Sequence, residues 1–223
     1  MASGCVILGD GFATLTKISA VDRKTSANIT FIDRSGSPTP MTKSMTGSFY
    51  LTESVLMPAA AASGTSTQGT IDLSAYVNVP TGQAVAIESV DFILQRDTPY
   101  GQNVDAYLAA NGAISMQLTD LNPGTALVQA DNQSLIASGA INIDIANNLA
   151  TETSDFYPDN FGPTSLSEAF LVVNDQLYLN GMPSGAAIGA GAIWVTARIR
   201  CRVVKLSTKD WMAVAIQSTA ADN

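Results

Sequence analysis

The chain has 223 residues, 46% hydrophobic and 13% charged, with a formal net charge of −8 and no histidine. A chain of this length buries roughly 70% of the surface its unfolded form exposes, so neither a disulfide nor a metal is needed for a core. Without histidine there is no Ser-His-Asp or Cys-His catalysis and no zinc site with a histidine ligand, and two cysteines, Cys5 and Cys201, cannot make a four-thiolate site.

Residues 1–48 read as an extended N-terminal arm outside the core. Val6, Ile7 and Leu8 form a short apolar run, residues 30–32 a second short strand, and Ser35-Gly36-Ser37-Pro38-Thr39-Pro40 a breaker cluster. The first eight residues lack a basic region and a long apolar one, so no secretory signal is expected. No apolar stretch reaches the ~18 residues of a membrane-spanning helix. From residue 49 the pattern is that of strands. Residues 49–57 make the first, and a flexible Ala/Ser/Gly/Thr connection follows to residue 67. Residues 70–79 alternate apolar and polar, predicting a half-buried strand over that whole range. Pro80-Thr81-Gly82 turns the chain into a long strand, 83–96, whose phase changes at Glu88-Ser89 and predicts a bulge.

Further strands are expected at 113–118, 125–130, 140–146, 169–173 and 176–179, with a long irregular loop over 147–164 and a glycine-rich connection over 181–191. A single helical turn is read at 165–168. The last strand, 193–206, is the strongest, with Ile193, Val195, Ala197, Ile199, Cys201 and Val203 on one face. Ser207-Thr208-Lys209-Asp210 then matches a helix start signal, in which Ser207 caps and Asp210 favours the first turn. The apolar run 211–216 completes a short C-terminal helix. Strands follow strands with turns between them, the pattern of an all-β, two-sheet β-sandwich, with a jelly roll as the expected topology. The division expected is an arm, 1–48, and a sandwich domain with its C-terminal helix, 49–223.

Charge is unevenly placed. Residues 1–48 hold five basic and three acidic groups, residues 49–197 one basic and fourteen acidic, and residues 198–223 five basic and two acidic. Alternation puts Arg198, Arg200 and Arg202 on one strand face about 7 Å apart, where like charges repel unless an acid lies across them. That acid comes either from a neighbouring subunit or from an adjacent strand of the same chain, and phosphate is a third partner for the guanidinium fork. Trp211 and Met212 are read as apolar anchors at a subunit contact, since interfaces favour Trp, Met and Arg. Phe156, Tyr157 and Phe161, beside Glu152, Asp155 and Asp159, make the long loop a candidate contact for a partner, a sugar or calcium. Glu88 and Asp91 are the only carboxylates singled out for glycosidase-type chemistry, which needs a facing pair.

The layout, a basic arm from Lys17 through Lys43, an acidic strand-rich body, long loops and a final long strand leading to a short C-terminal segment, is similar to that of small single-jelly-roll virus capsid proteins, the architectural resemblance covering roughly residues 49–206. The resemblance implies a structural, non-enzymatic, self-assembling subunit: a major capsid protein of a virion, assembled in the host cytoplasm, without cofactor or metal. Its expected partners are copies of itself in a homo-oligomeric shell, other capsid proteins, and nucleic acid touched weakly by the basic ends. The arm departs from a genome-binding arm, because its small basic excess is far short of what packaged nucleic acid requires. The alternative is a lectin-like or adhesin-like β-sandwich binding module.

Overall fold

The computed structural model describes residues 3–8, 12–17, 43–97, 106–154 and 169–220. The chain divides into two compact units, Met1–Met41 and Thr42–Asn223. The first contains an antiparallel hairpin of β1 (Ser3–Leu8) and β2 (Phe12–Lys17), so part of the expected arm is a β-ribbon. The strand expected at 30–32 and the breaker cluster lie outside the described residues.

In the second unit the strands are β3 (Lys43–Ser44), β4 (Phe49–Met57), β5 (Thr67–Asp72), β6 (Gln83–Arg96), β7 (Gly112–Thr119), β8 (Leu135–Asp144), β9 (Leu149–Ser154), β10 (Phe170–Val172), β11 (Gln176–Ser184) and β12 (Ile193–Lys205). One α-helix, α1 (Thr208–Ala220), follows them. Four antiparallel pairs nest along the chain: β4 with β12, β5 with β11, β6 with β10, and β7 with β8. Rolling this long hairpin adds two more pairs, β6 with β12 and β7 with β11. The result is two sheets ordered β4-β12-β6-β10 and β5-β11-β7-β8, with β3 extending the first beside β12 and β9 the second beside β8. Nested pairs rolled into two four-stranded sheets are the jelly-roll arrangement.

Period-two patterning explains the core. The inner face of β12 buries Ile193, Val195, Ala197, Ile199 and Cys201 against Met57, Leu118, Leu177 and Leu179, all 2% exposed or less. Burial of such side chains stabilises the fold by about 1.5–3 kcal/mol each. The sheets approach closely where side chains are missing: a Cβ on Gly181 would lie 3.2 Å from Val195 Cγ2 and 3.3 Å from Met57 Sδ.

Several elements differ from their sequence patterns, each for a local reason. The strand expected over 70–79 ends at Asp72, whose Oδ1 accepts the Ser74 N–H at 2.8 Å, while the N–H groups of Tyr76 and Val77 turn back to the Leu73 carbonyl. An Asx turn thus competes successfully with the ladder. Residues 125–130 form no strand, because the Gln117 side chain satisfies both backbone groups of Val128, at 2.8 and 2.9 Å. The loop expected from 147 begins with strand β9, and β11 runs through Gly181 to Ser184 instead of ending at Leu179. Lys43 and Ser44 join the first sheet, so the sheet starts before the expected boundary at residue 49.

Gly82 closes the turn before β6 with φ of +69°, and a Cβ there would lie 2.6 Å from the Leu206 carbonyl oxygen. Leu206 in turn donates its N–H to the Gly82 carbonyl at 2.9 Å. Gly82→Ala is expected to lower stability in urea unfolding by about 1–3 kcal/mol, since the left-handed conformation and the backbone contact both act against a side chain.

Candidate functional site

The outer face of the first sheet carries the arginine ladder. β12 lies between β4 and β6, and Arg198, Arg200 and Arg202 project opposite its buried face, as alternation predicts. The bulge expected in β6 is present: Arg200 pairs with Ser89 and Cys201 with Ile87, leaving Glu88 as the extra residue. A bulge re-aims a side chain that strict alternation would place elsewhere, and here it sets Glu88 beside the ladder. Glu88 Oε2 is 3.0 Å from Arg200 Nε, Oε1 contacts the Arg202 guanidinium, and Ser48 Oγ donates to Oε2 at 3.0 Å. Glu88 is 4% exposed, whereas the side chains of Arg200 and Arg202 are 50% and 29% exposed. Of the two origins considered for the facing acid, the same chain supplies it for these two arginines. Arg198 lies over the Tyr50 ring at 4.5 Å from its centroid, a cation–π contact. Tyr50 was not singled out in the sequence; its place on the polar face of β4 beside the ladder was the available signal.

This arrangement bears on the remaining chemistry. Glu88 is engaged by two guanidiniums, and Asp91 stands three residues further along β6 opposite Arg198. Cys201 is a free, buried thiol whose pKa is pushed up to about 12, first by burial and then by the nearby Glu88 charge. Since the thiolate is the reactive form, Cys201 in a Cys5→Ser background is expected to resist thiol reagents at pH 8 by on the order of 10³-fold relative to the urea-unfolded chain. Rapid labelling of the folded protein would contradict its placement.

The helix α1 has two faces. Its cap forms as the sequence indicates: Asp210 N–H donates to Ser207 Oγ at 3.2 Å, and Ser207 Oγ–H donates to Asp210 Oδ2 at 2.6 Å. Trp211, Val214 and Ala215 pack on Ala84, Ala86, Val204 and Leu206 of the same chain. Lys209, Met212, Ala213 and Ile216, spaced i, i+3, i+4, i+7, are exposed, Met212 at 57% and Ile216 at 66%. The structure therefore separates the two anchors read from the sequence: Trp211 covers its own sheet, and Met212 faces outward. A shallow groove runs beside Met212, walled by Val79 to Gly82 on one side and by Lys205 to Thr208 on the other. Val79, 59% exposed, was not singled out; a bulky residue directly before a turn proline was the signal.

Topology also sorts the charge. The strands of the first sheet together with α1 carry seven basic and four acidic residues, whereas the strands of the second carry three acidic residues and no basic one. Glu53, pointing inward from the edge strand β4, has its pKa raised by burial. An inward charge on an edge strand discourages uncontrolled edge pairing. Phe156, Tyr157, Phe161, Asp155 and Asp159 lie outside the described residues. Among the described residues, no three His, Cys, Asp or Glu side chains gather as a metal site, and no helix is long and apolar enough to cross a membrane.

No protein-family model and no curated protein sequence matches the chain. Among solved structures, it is similar to a chain of the mud crab dicistrovirus structure at 13% identity, covering 89% of this chain and 94% of that one, with a TM-score of 0.34. It is also similar to a chain of the turnip yellow mosaic virus structure at 8% identity, covering 73% of this chain and 98% of that one, with a TM-score of 0.26.

Proposed function

We propose that the protein is a structural subunit that assembles with copies of itself into a virus-type capsid shell, and that it does no catalysis. The observation that carries this reading is the rolled set of nested strand pairs, a jelly-roll topology used by viral capsid domains, with exposed apolar side chains left on its sheet and helix. Tyr50, Leu56 and Ile93 lie on the outer face of the first sheet and Met212 and Ile216 on α1, all between 38% and 66% exposed. Covering such side chains with a partner removes apolar surface from water. The basic residues sit on the same sheet and helix, so contacts there avoid the self-repulsion that an acidic subunit otherwise meets. In this reading, Arg198, Arg200, Arg202 and Met212 contribute to contacts between subunits, and the virion is the protein's place of action.

The test is the mass of the full chain in solution beside negative-stain microscopy across a concentration series. Regular particles of uniform size are expected. A compact monomer at every concentration would overturn the reading and favour the lectin-like binding module, which the same topology also serves.

A further inference from the structure

We infer that the exposed face of α1 docks on a second copy of this chain at the carboxylates where β5 ends and β11 begins. The inference rests on the assembly reading above and names the contact. The donor surface is defined by two independent features. The first is the solvent-facing apolar stripe of Met212, Ala213 and Ile216, which continues across the groove to Val79. The second is a set of lysines without an ion pair among the described residues. Lys43 and Lys205 stand directly opposite each other on β3 and β12, both exposed, and Lys209 projects from the exposed stripe of α1. Like charges opposite each other across a ladder destabilise it, so Lys43 and Lys205 gain from an anionic surface brought against them.

The acceptor surface is complementary. Asp72 and Asp175 are exposed neighbours: Gln176 pairs with Asp72 across the ladder, and the Asp175 carbonyl accepts the Leu73 N–H at 2.7 Å. Hydrogen bonds from Ser74 lower the pKa of Asp72. No basic residue lies on the strands of this sheet. The obvious competitor, pairing of the α1 stripe with its own twin, brings two sets of lysines onto one interface, and among the described residues α1 carries a single acid, Asp210, to offset them. Juxtaposed like charges suppress such a partner, and complementary ones select the register.

The experiment uses the full chain in two charge-reversed forms, Lys205→Glu/Lys209→Glu and Asp72→Lys/Asp175→Lys, with association followed by light scattering and folding by thermal melting. Each form alone is expected to need about tenfold or more protein to associate at 0.1 M salt, with the deficit shrinking at 1 M as screening shortens. An equimolar mixture, and a single chain carrying all four substitutions, are expected to recover association, which separates a lost contact from a lost fold. A separate Met212→Ser/Ile216→Ser form is expected to weaken association at both salts. If the lysine form is impaired and the aspartate form is not, α1 meets a different anionic partner or its twin, and the inference is overturned. If wild type assembles and both forms assemble equally well, the inference fails while the assembly reading stands. If wild type never associates, both fail.

Discussion

Replacing Arg200 and Arg202 together by alanine is expected to lower the unfolding free energy by about 3 kcal/mol, and Glu88→Gln by distinctly less, about 1–2 kcal/mol. The asymmetry follows from which partner is buried. Glu88 is 4% exposed, so without the guanidiniums a carboxylate is left in the sheet surface with Ser48 as its one side-chain donor among the described residues. The two arginines are half and one-third exposed, so without Glu88 they turn to water. The figure is at the low end of what breaking a buried pair costs, because removing the arginines also opens a path for solvent. Adding Glu88→Gln to the double alanine variant is expected to recover more than half of the loss, the non-additivity of groups that act together. Urea unfolding of the four proteins gives the cycle. A larger loss for Glu88→Gln than for the double variant would mean that the arginines, rather than the acid, depend on the pairing. The result bears on assembly too, since the same arginines are proposed to meet a neighbour, and a fold-level loss must be known before an assembly defect is interpreted.

Leu179→Ala is expected to cost about 2–5 kcal/mol, while Leu149→Ala is expected to stay within about 0.5 kcal/mol of wild type. Leu179 is fully buried in the inner face of β11, opposite Leu118 on β7 and Gly69 on β5. Gly69 and, two residues along the strand, Gly181 have no side chain to move into a void. Above them Val55, Met57 and Val195 of the first sheet already sit close to the backbone, so the sheets have little room to collapse further. The cavity therefore persists, and its cost adds to the lost transfer energy. Leu149 is 54% exposed on the outermost strand of its sheet and loses little. Thermal and urea unfolding distinguish the two variants, and equal losses would show that the second sheet is not packed as described.

Local chemistry was legible in the sequence. The strand signal from residue 49 located the strand at 49–57, alternation located the last strand, expected over 193–206 and ending at Lys205, the phase change in 83–96 marked the bulge at Glu88, and Ser207 with Asp210 fixed the start of α1. Each of these depends on residues within a few positions of one another. Where two local signals competed, the pattern misled: Ile71 to Val79 alternates, yet the Asx turn at Asp72 ends the strand.

Only the tertiary structure decided the remainder. Glu88 and Arg202 are far apart in the chain, and nothing in either segment's pattern says that β6 and β12 pair, because register between distant strands is set by which faces can be buried together. The same holds for α1. Its run of apolar residues fixes a helix with no polar face, but the division into Trp211, Val214 and Ala215 inward and Met212 and Ile216 outward depends on the sheet it lies against. Charge followed the same rule. The sequence places basic residues at the chain ends and acids in the middle, and it is the nesting of β4 with β12 and β5 with β11 that turns this order along the chain into two sheets of different charge.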